Sequence, residues 1–167
     1  MSSLPRAPSA QAKILSLPAL ARRVARARAS RRTVVFTNGC FDLVHAGHVK
    51  LLEWAKRQGD LLIVAVNSDR SVRVLSKGPG RPLMHERDRA LLVAALGCVD
   101  AVTIFSDPTP RRLIERLIPD VLVKGADWGA EEIVGAGVVK RHGGRIVRVP
   151  LLKGYSTTGL IERIRRG

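Results

Sequence analysis

Five short runs of β-branched and aliphatic residues, at 33–37, 61–66, 101–105, 120–124 and 145–149, recur along this chain, and helix-length segments separate them. The second run reads Leu-Leu-Ile-Val-Ala-Val, with no polar residue in it. A strand that is apolar at nearly every position is buried on both faces, as happens in a parallel sheet covered by helices on both sides. The intervening segments carry the matching helical pattern. Helices are expected over 17–29, 46–58, 85–96, 109–117, 131–141 and 157–165, with Leu113, Ile114 and Leu117 or Ile133, Val134 and Val138 as buried stripes. The expected fold is therefore a Rossmann-like, three-layer α/β/α domain around a five-stranded parallel sheet. Ligands of such sheets bind beyond the carboxyl ends of the strands, near the switch in strand order.

The domain proper is expected at 31–167. Residues 1–30 divide into a mobile lead-in over 1–16, with Pro5, Pro8 and several serines, and a short basic amphipathic helix over 17–29. At 167 residues the chain is long enough to bury roughly 70% of its unfolded surface without a disulfide or metal staple. Cys40 and Cys98 are too few and too far apart for a disulfide framework or a CxxC site, which fits a reducing, cytoplasmic location. No run of apolar residues is long enough for a membrane span.

Residues 37–48 carry the densest chemistry. They read Thr37-Asn38-Gly39-Cys40-Phe41-Asp42-Leu43-Val44-His45-Ala46-Gly47-His48 and fall between the first strand and the helix after it. A helix start exposes unpaired N–H groups and the positive end of the macrodipole, so it collects phosphate. His45 and His48 lie three apart, on one helical face. Gly47 between them is read as letting a phosphate approach the backbone. Lys50 follows in the same helix. The net charge of +15 points to a polyanionic ligand. Aromatics form only 4% of the chain, and no zinc spacing or RNA-recognition motif occurs, so a specific nucleic-acid partner is not expected. A nucleoside triphosphate with a sugar phosphate would satisfy the same field.

The motif His45-Ala46-Gly47-His48, with Asn38-Gly39-Cys40-Phe41-Asp42 before it, is similar to the HxGH signature of nucleotidyltransferases related to cytidylyltransferases. Further on come Lys77-Gly78-Pro79-Gly80-Arg81-Pro82, Val123-Lys124-Gly125-Ala126-Asp127-Trp128 and Gly154-Tyr155-Ser156-Thr157-Thr158. Together, over about residues 12–166, they resemble the bacterial adenylyltransferase domain that joins AMP to heptose 1-phosphate for lipopolysaccharide precursors. That resemblance implies ATP as substrate, with Mg²⁺ held mainly by phosphates and water. It implies catalytic roles for His45, His48 and Lys50, and nucleotide contacts from Thr37, Asn38, Gly39, Cys40, Phe41, Asp42, Gly47, Arg89, Lys124, Gly125, Asp127, Tyr155, Ser156 and Thr157. Acceptor contacts are expected from Lys50, Lys77 and Arg81, the last two in a lid-like loop. No protein metal ligand is expected, and Cys40 is read as packing rather than as a nucleophile. Bifunctional relatives carry a sugar kinase ahead of this domain, so a separate heptose kinase and a phosphatase are the expected pathway partners, with a homo-oligomer as the assembly. A cytidylyltransferase acting on glycerol 3-phosphate or a phospho-alcohol is the rival within the class. The acid-free N-terminal stretch mimics a transit peptide but also resembles the helix that leads into the family's first strand.

Overall fold

A computed structural model of the chain describes residues 8–75, 80–126, 129, 133–150 and 154–167. In chain order the elements are α1 (Ala10–Lys13), α2 (Leu17–Ala29), β1 (Val34–Gly39), α3 (Ala46–Lys56), β2 (Leu61–Asn67), α4 (Asp69–Val74), α5 (Glu86–Ala95), β3 (Ala101–Phe105), α6 (Arg111–Leu117), β4 (Val121–Gly125), α7 (Ala136–Arg141), β5 (Arg145–Val149) and α8 (Thr157–Arg166). The strands form one parallel sheet in the order β3-β2-β1-β4-β5. The chain runs outward from β1 through β2 to β3, then crosses back to place β4 on the other side of β1. That reversal makes the carboxyl end of β1 the switch point.

Every residue of β2 is buried, and its side chains alternate between two apolar layers. One layer packs Phe36, Ile63 and Leu122 against α2, α6 and α7, while the other packs Val35, Val64 and Val123 against α3 and α5. In α2 the buried residues are Leu20, Val24 and Ala27, one turn apart, so the arginines between them face outward. Among the described residues no helix is long and apolar enough to cross a membrane.

Aspartates close the amino-terminal edge of the sheet. Asp60 accepts Thr33 N–H at 2.8 Å, Asp120 accepts Val34 N–H at 2.7 Å, and Asp100 accepts Leu62 N–H at 2.7 Å and Lys56 Nζ at 2.6 Å. First strand amides that the ladder leaves unpaired are thereby satisfied.

The structure differs from the sequence reading in four places. Residues 8–16, within the stretch expected to be a mobile lead-in, are packed on the domain. Ser9 caps α1, Ile14 bridges Val102, and Leu15 N–H donates to the Val102 carbonyl at 2.8 Å, so this stretch covers the edge strand β3. Because α2 is part of the main core, packing shows no division at residue 30. The unforeseen helix α4 follows directly on β2 and is capped by Ser68 Oγ. Of the helix expected over 131–141, residues 133–135 are not helical and α7 starts at Ala136, because Gly135 sits at φ 87° against the Ile114 side chain, where a Cβ would lie 2.5 Å from a methyl carbon.

Candidate active site

A cleft of about 670 Å³ opens at the carboxyl edge of the sheet, over the switch point. Its floor is the end of β1 and the turn that follows, from Thr37 through Asp42. This turn is tight. Phe41 takes a left-handed conformation at φ 50°, and its ring folds back over Gly39, where an added Cβ would sit 3.0 Å from the ring. The same ring stands 5.2 Å from the His48 ring and helps to bury it.

His45 caps α3, and its ring stacks on His48 with centroids 3.9 Å apart. Burial, and then the neighbouring His45, push the His48 pKa down to about 4. Burial also lowers that of His45. His48 is thus neutral at pH 7, and its Nδ1 faces the His45 backbone N–H at 3.4 Å. A neutral imidazole that accepts at Nδ1 carries its proton on Nε2, which leaves that N–H for an oxygen in the cleft. His45 Nδ1 is buried without a protein partner among the described residues. Gly47 is also required by packing: a Cβ there would lie 3.0 Å from His45 ring atoms and 3.1 Å from Tyr155 Cβ. Glycine at 47 is what lets the His45 ring and the start of α8 close together.

Most of the residues singled out in the sequence meet in this cleft. Thr37, Asn38, Gly39, Cys40, Phe41, Asp42, His45, Gly47, His48, Arg81, Lys124, Gly125, Tyr155, Ser156 and Thr157 all line it. Lys124 Nζ donates to Asn38 Oδ1, joining the ends of β4 and β1. Ser156 Oγ accepts Gly159 N–H at 3.0 Å and caps α8. Lys77 and Asp127 lie outside the described residues, as does Trp128.

Three other expected contacts have protein partners in the structure. Asp42, 1% exposed, is a clasp: its carboxylate accepts Arg81 Nε, Leu83 N–H at 2.7 Å and Met84 N–H at 3.0 Å. Asp42 and Arg81 therefore hold each other and fix the loop before α5 against the β1 turn. Arg89, expected to touch phosphate, is completely buried and absent from the cleft wall. Its guanidinium donates to the Met84 and Cys40 carbonyls and to Asp69 Oδ1, the last at 2.7 Å. It ties α5 to the β1 turn and to the start of α4. A planar five-donor fork suits three fixed acceptors. Lys50 also falls outside the cleft wall: its side chain is 65% exposed and pairs with Glu53 at 3.2 Å. Two residues past His48, it is rotated about 200° around the helix from that ring.

Sequence reasoning missed one wall. Asn67, at the end of β2, and residues 108–110, between β3 and α6, also line the cleft. The Pro-Thr-Pro spacing was visible, but only strand order brings it beside β1.

A polar, histidine-bearing helix start at the carboxyl edge of a parallel sheet, with its switch point beneath, defines a nucleotide-handling α/β enzyme of the nucleotidyltransferase fold. The cytidylyltransferase-like family model matches residues 36–163, and the chain belongs to that family of nucleotidyltransferases. It is 54% identical over 160 residues to the bifunctional protein HldE of Geotalea uraniireducens, covering 96% of this chain and 32% of that protein. Against the bifunctional protein HldE of Mesorhizobium japonicum it is 53% identical over 154 residues, 92% of this chain and 31% of that one. The chain thus spans about a third of the length of these relatives. Among solved structures, the lipopolysaccharide core biosynthesis protein from Thermoplasma volcanium superposes with a TM-score of 0.64 at 27% identity, over 73% of this chain and 99% of that one.

Proposed function

We propose that this protein transfers AMP from ATP to D-glycero-D-manno-heptose 1-phosphate and releases pyrophosphate. The observation that carries the reading is the stacked His45–His48 pair at the start of α3, with His48 neutral and its Nε2–H free for a phosphate oxygen. High identity to HldE proteins over nearly the whole chain, and likeness to a lipopolysaccharide core biosynthesis protein, support the choice of a sugar phosphate as acceptor.

In the proposed reaction, an anionic oxygen of the acceptor phosphate attacks the α-phosphorus of ATP. A new P–O bond forms as the bond from the α-phosphorus to the bridging oxygen breaks, and pyrophosphate leaves with that electron pair. The acceptor is already ionised near neutral pH, so the side chains serve alignment and charge stabilisation rather than proton abstraction. His45 and His48 donate to triphosphate oxygens where charge grows, and the amides at the starts of α3 and α8 add fixed positive dipoles. Asp42 is the one carboxylate among the described lining residues, and it is engaged by Arg81 and two amides. Mg²⁺ therefore fits this site as an ion carried by the triphosphate, supplying charge neutralisation. The kinase step that makes the acceptor is assigned to an activity outside these 167 residues.

The test is pyrophosphate release from ATP and CTP, each with a panel of sugar 1-phosphates and glycerol 3-phosphate. Turnover is expected with ATP and the heptose phosphate, falling at least about a hundredfold in His48→Ala. Faster turnover with CTP and glycerol 3-phosphate would replace this reading with the cytidylyltransferase one.

A further inference from the structure

The wall formed by Asn67 and residues 108–110 belongs to none of the motifs assigned to the nucleotide, yet it lines the same cleft. Asn67 ends β2, on one side of β1, and Ser71 just beyond it holds the Asp107 carbonyl, whereas Lys124 and Gly125 end β4, on the other side of β1. The chemistry of this wall also differs, being neutral: an amide, a hydroxyl and two proline rings.

The orientation of Asn67 follows from proton bookkeeping. Ser71 Oγ donates its one proton to the Asp107 carbonyl at 3.1 Å, so it can only accept from Asn67, whose Nδ2 stands 2.8 Å away. Asn67 Oδ1 is thereby turned away from Ser71, and it has no protein partner among the described residues. Asn67 is only 3% exposed and lines the cleft, so that open face is a fixed acceptor. The relay from Asn67 through Ser71 to Asp107 also pins the segment that carries Thr109. The Thr109 hydroxyl is exposed, makes no cap for α6, and has no protein partner among the described residues.

A carbonyl oxygen repels a phosphate and accepts from a hydroxyl, while a threonine hydroxyl pairs with either a donor or an acceptor. Pro108 offers an exposed apolar face of the kind that packs on the C–H side of a sugar ring. We propose that this wall is the sugar subsite: Asn67 Oδ1 and Thr109 Oγ1 read ring hydroxyls of the acceptor, and Pro108 packs on its ring. The assignment rests on the proposed transfer to a sugar 1-phosphate and names the residues that select the sugar.

The experiment measures kcat/KM for D-glycero-D-manno-heptose 1-phosphate and its single-deoxy analogues at saturating ATP. The enzymes compared are wild type, Asn67→Ala, Thr109→Val and Thr109→Ser. Thr109 is exposed, so its variants keep the fold even if Asn67→Ala does not. Removing a recognised hydroxyl should cost wild type about tenfold. That penalty should vanish for one position in Asn67→Ala and for another in Thr109→Val, with KM for ATP within about twofold and Thr109→Ser restoring wild-type discrimination. If wild type turns over the sugar phosphate but both deletions leave every deoxy penalty unchanged, the subsite is wrong and the transferase reading stands. If wild type releases no pyrophosphate with any sugar 1-phosphate, both readings fall.

Discussion

Replacing Asp42 with alanine tests whether this aspartate is a clasp or a ligand contact. The Asp42 side chain is fully buried and that of Arg81 is 9% exposed, so the substitution strands a buried guanidinium. Breaking one side of a buried ion pair costs about 3–5 kcal/mol. The Leu83 and Met84 amides lose acceptors at 2.7 and 3.0 Å, about 1 kcal/mol each. Leu83 is 53% exposed, so water can reach part of the loop and offset some of this. A net loss of about 4 kcal/mol follows, and for a domain of this length that lowers Tm by roughly 8–16 °C. Asp42→Asn keeps an acceptor for the amides but loses the ion pair, so about half the loss is expected. Urea unfolding of the single mutants, Arg81→Ala and the double mutant gives the coupling energy, expected at about 2–3 kcal/mol. Asp42→Ala within about 1 kcal/mol of wild type, with ATP binding lost, would refute the clasp and return Asp42 to the nucleotide.

Three further outcomes are expected. His48 has a folded pKa near 4 against 6.5 when free, so its contribution to stability is complete above pH 6.5 and is lost as pH falls towards 4. At 1.36 kcal/mol per pH decade the ceiling is about 3 kcal/mol, and partial exposure brings it to about 2. Urea midpoints across pH 4–7 should show this slope, and His48→Asn should lack it. Arg89→Lys should lower stability by about 2 kcal/mol or more, since one ammonium cannot serve the Cys40, Met84 and Asp69 acceptors together. KM for ATP in the folded enzyme should stay within about threefold, and a tenfold rise without loss of stability would restore Arg89 as a phosphate contact. Lys50→Ala removes a surface pair worth at most about 1 kcal/mol and should change kcat/KM less than threefold. A hundredfold fall would show that Lys50 swings into the cleft during turnover.

The strands, their parallel pairing and the histidine-bearing strand-to-helix turn were legible in the sequence because each is a local pattern. An apolar run such as 61–66 can be stable only when both faces are covered, and a glycine and two histidines at a strand-to-helix turn announce anion chemistry at that place. The partners of long charged side chains were not legible, because a sequence records that Arg89, Lys50 and Asp42 carry charge but not what they face. Arg89 was drawn into the protein by three acceptors from three separate segments, Lys50 was turned outward by the helical phase, and Asp42 was taken up by Arg81, 39 residues away. The wall of Asn67 and Thr109 has the same origin. Its residues come from the ends of different elements, and only the strand order β3-β2-β1-β4-β5 sets them beside the histidines. Local periodicity, backbone chirality and the hydrophobic effect thus determine the scaffold and the place of the histidine pair on it. Which polar groups remain free for a ligand is decided by hydrogen-bond competition across the chain, and that competition exists only once the fold has formed.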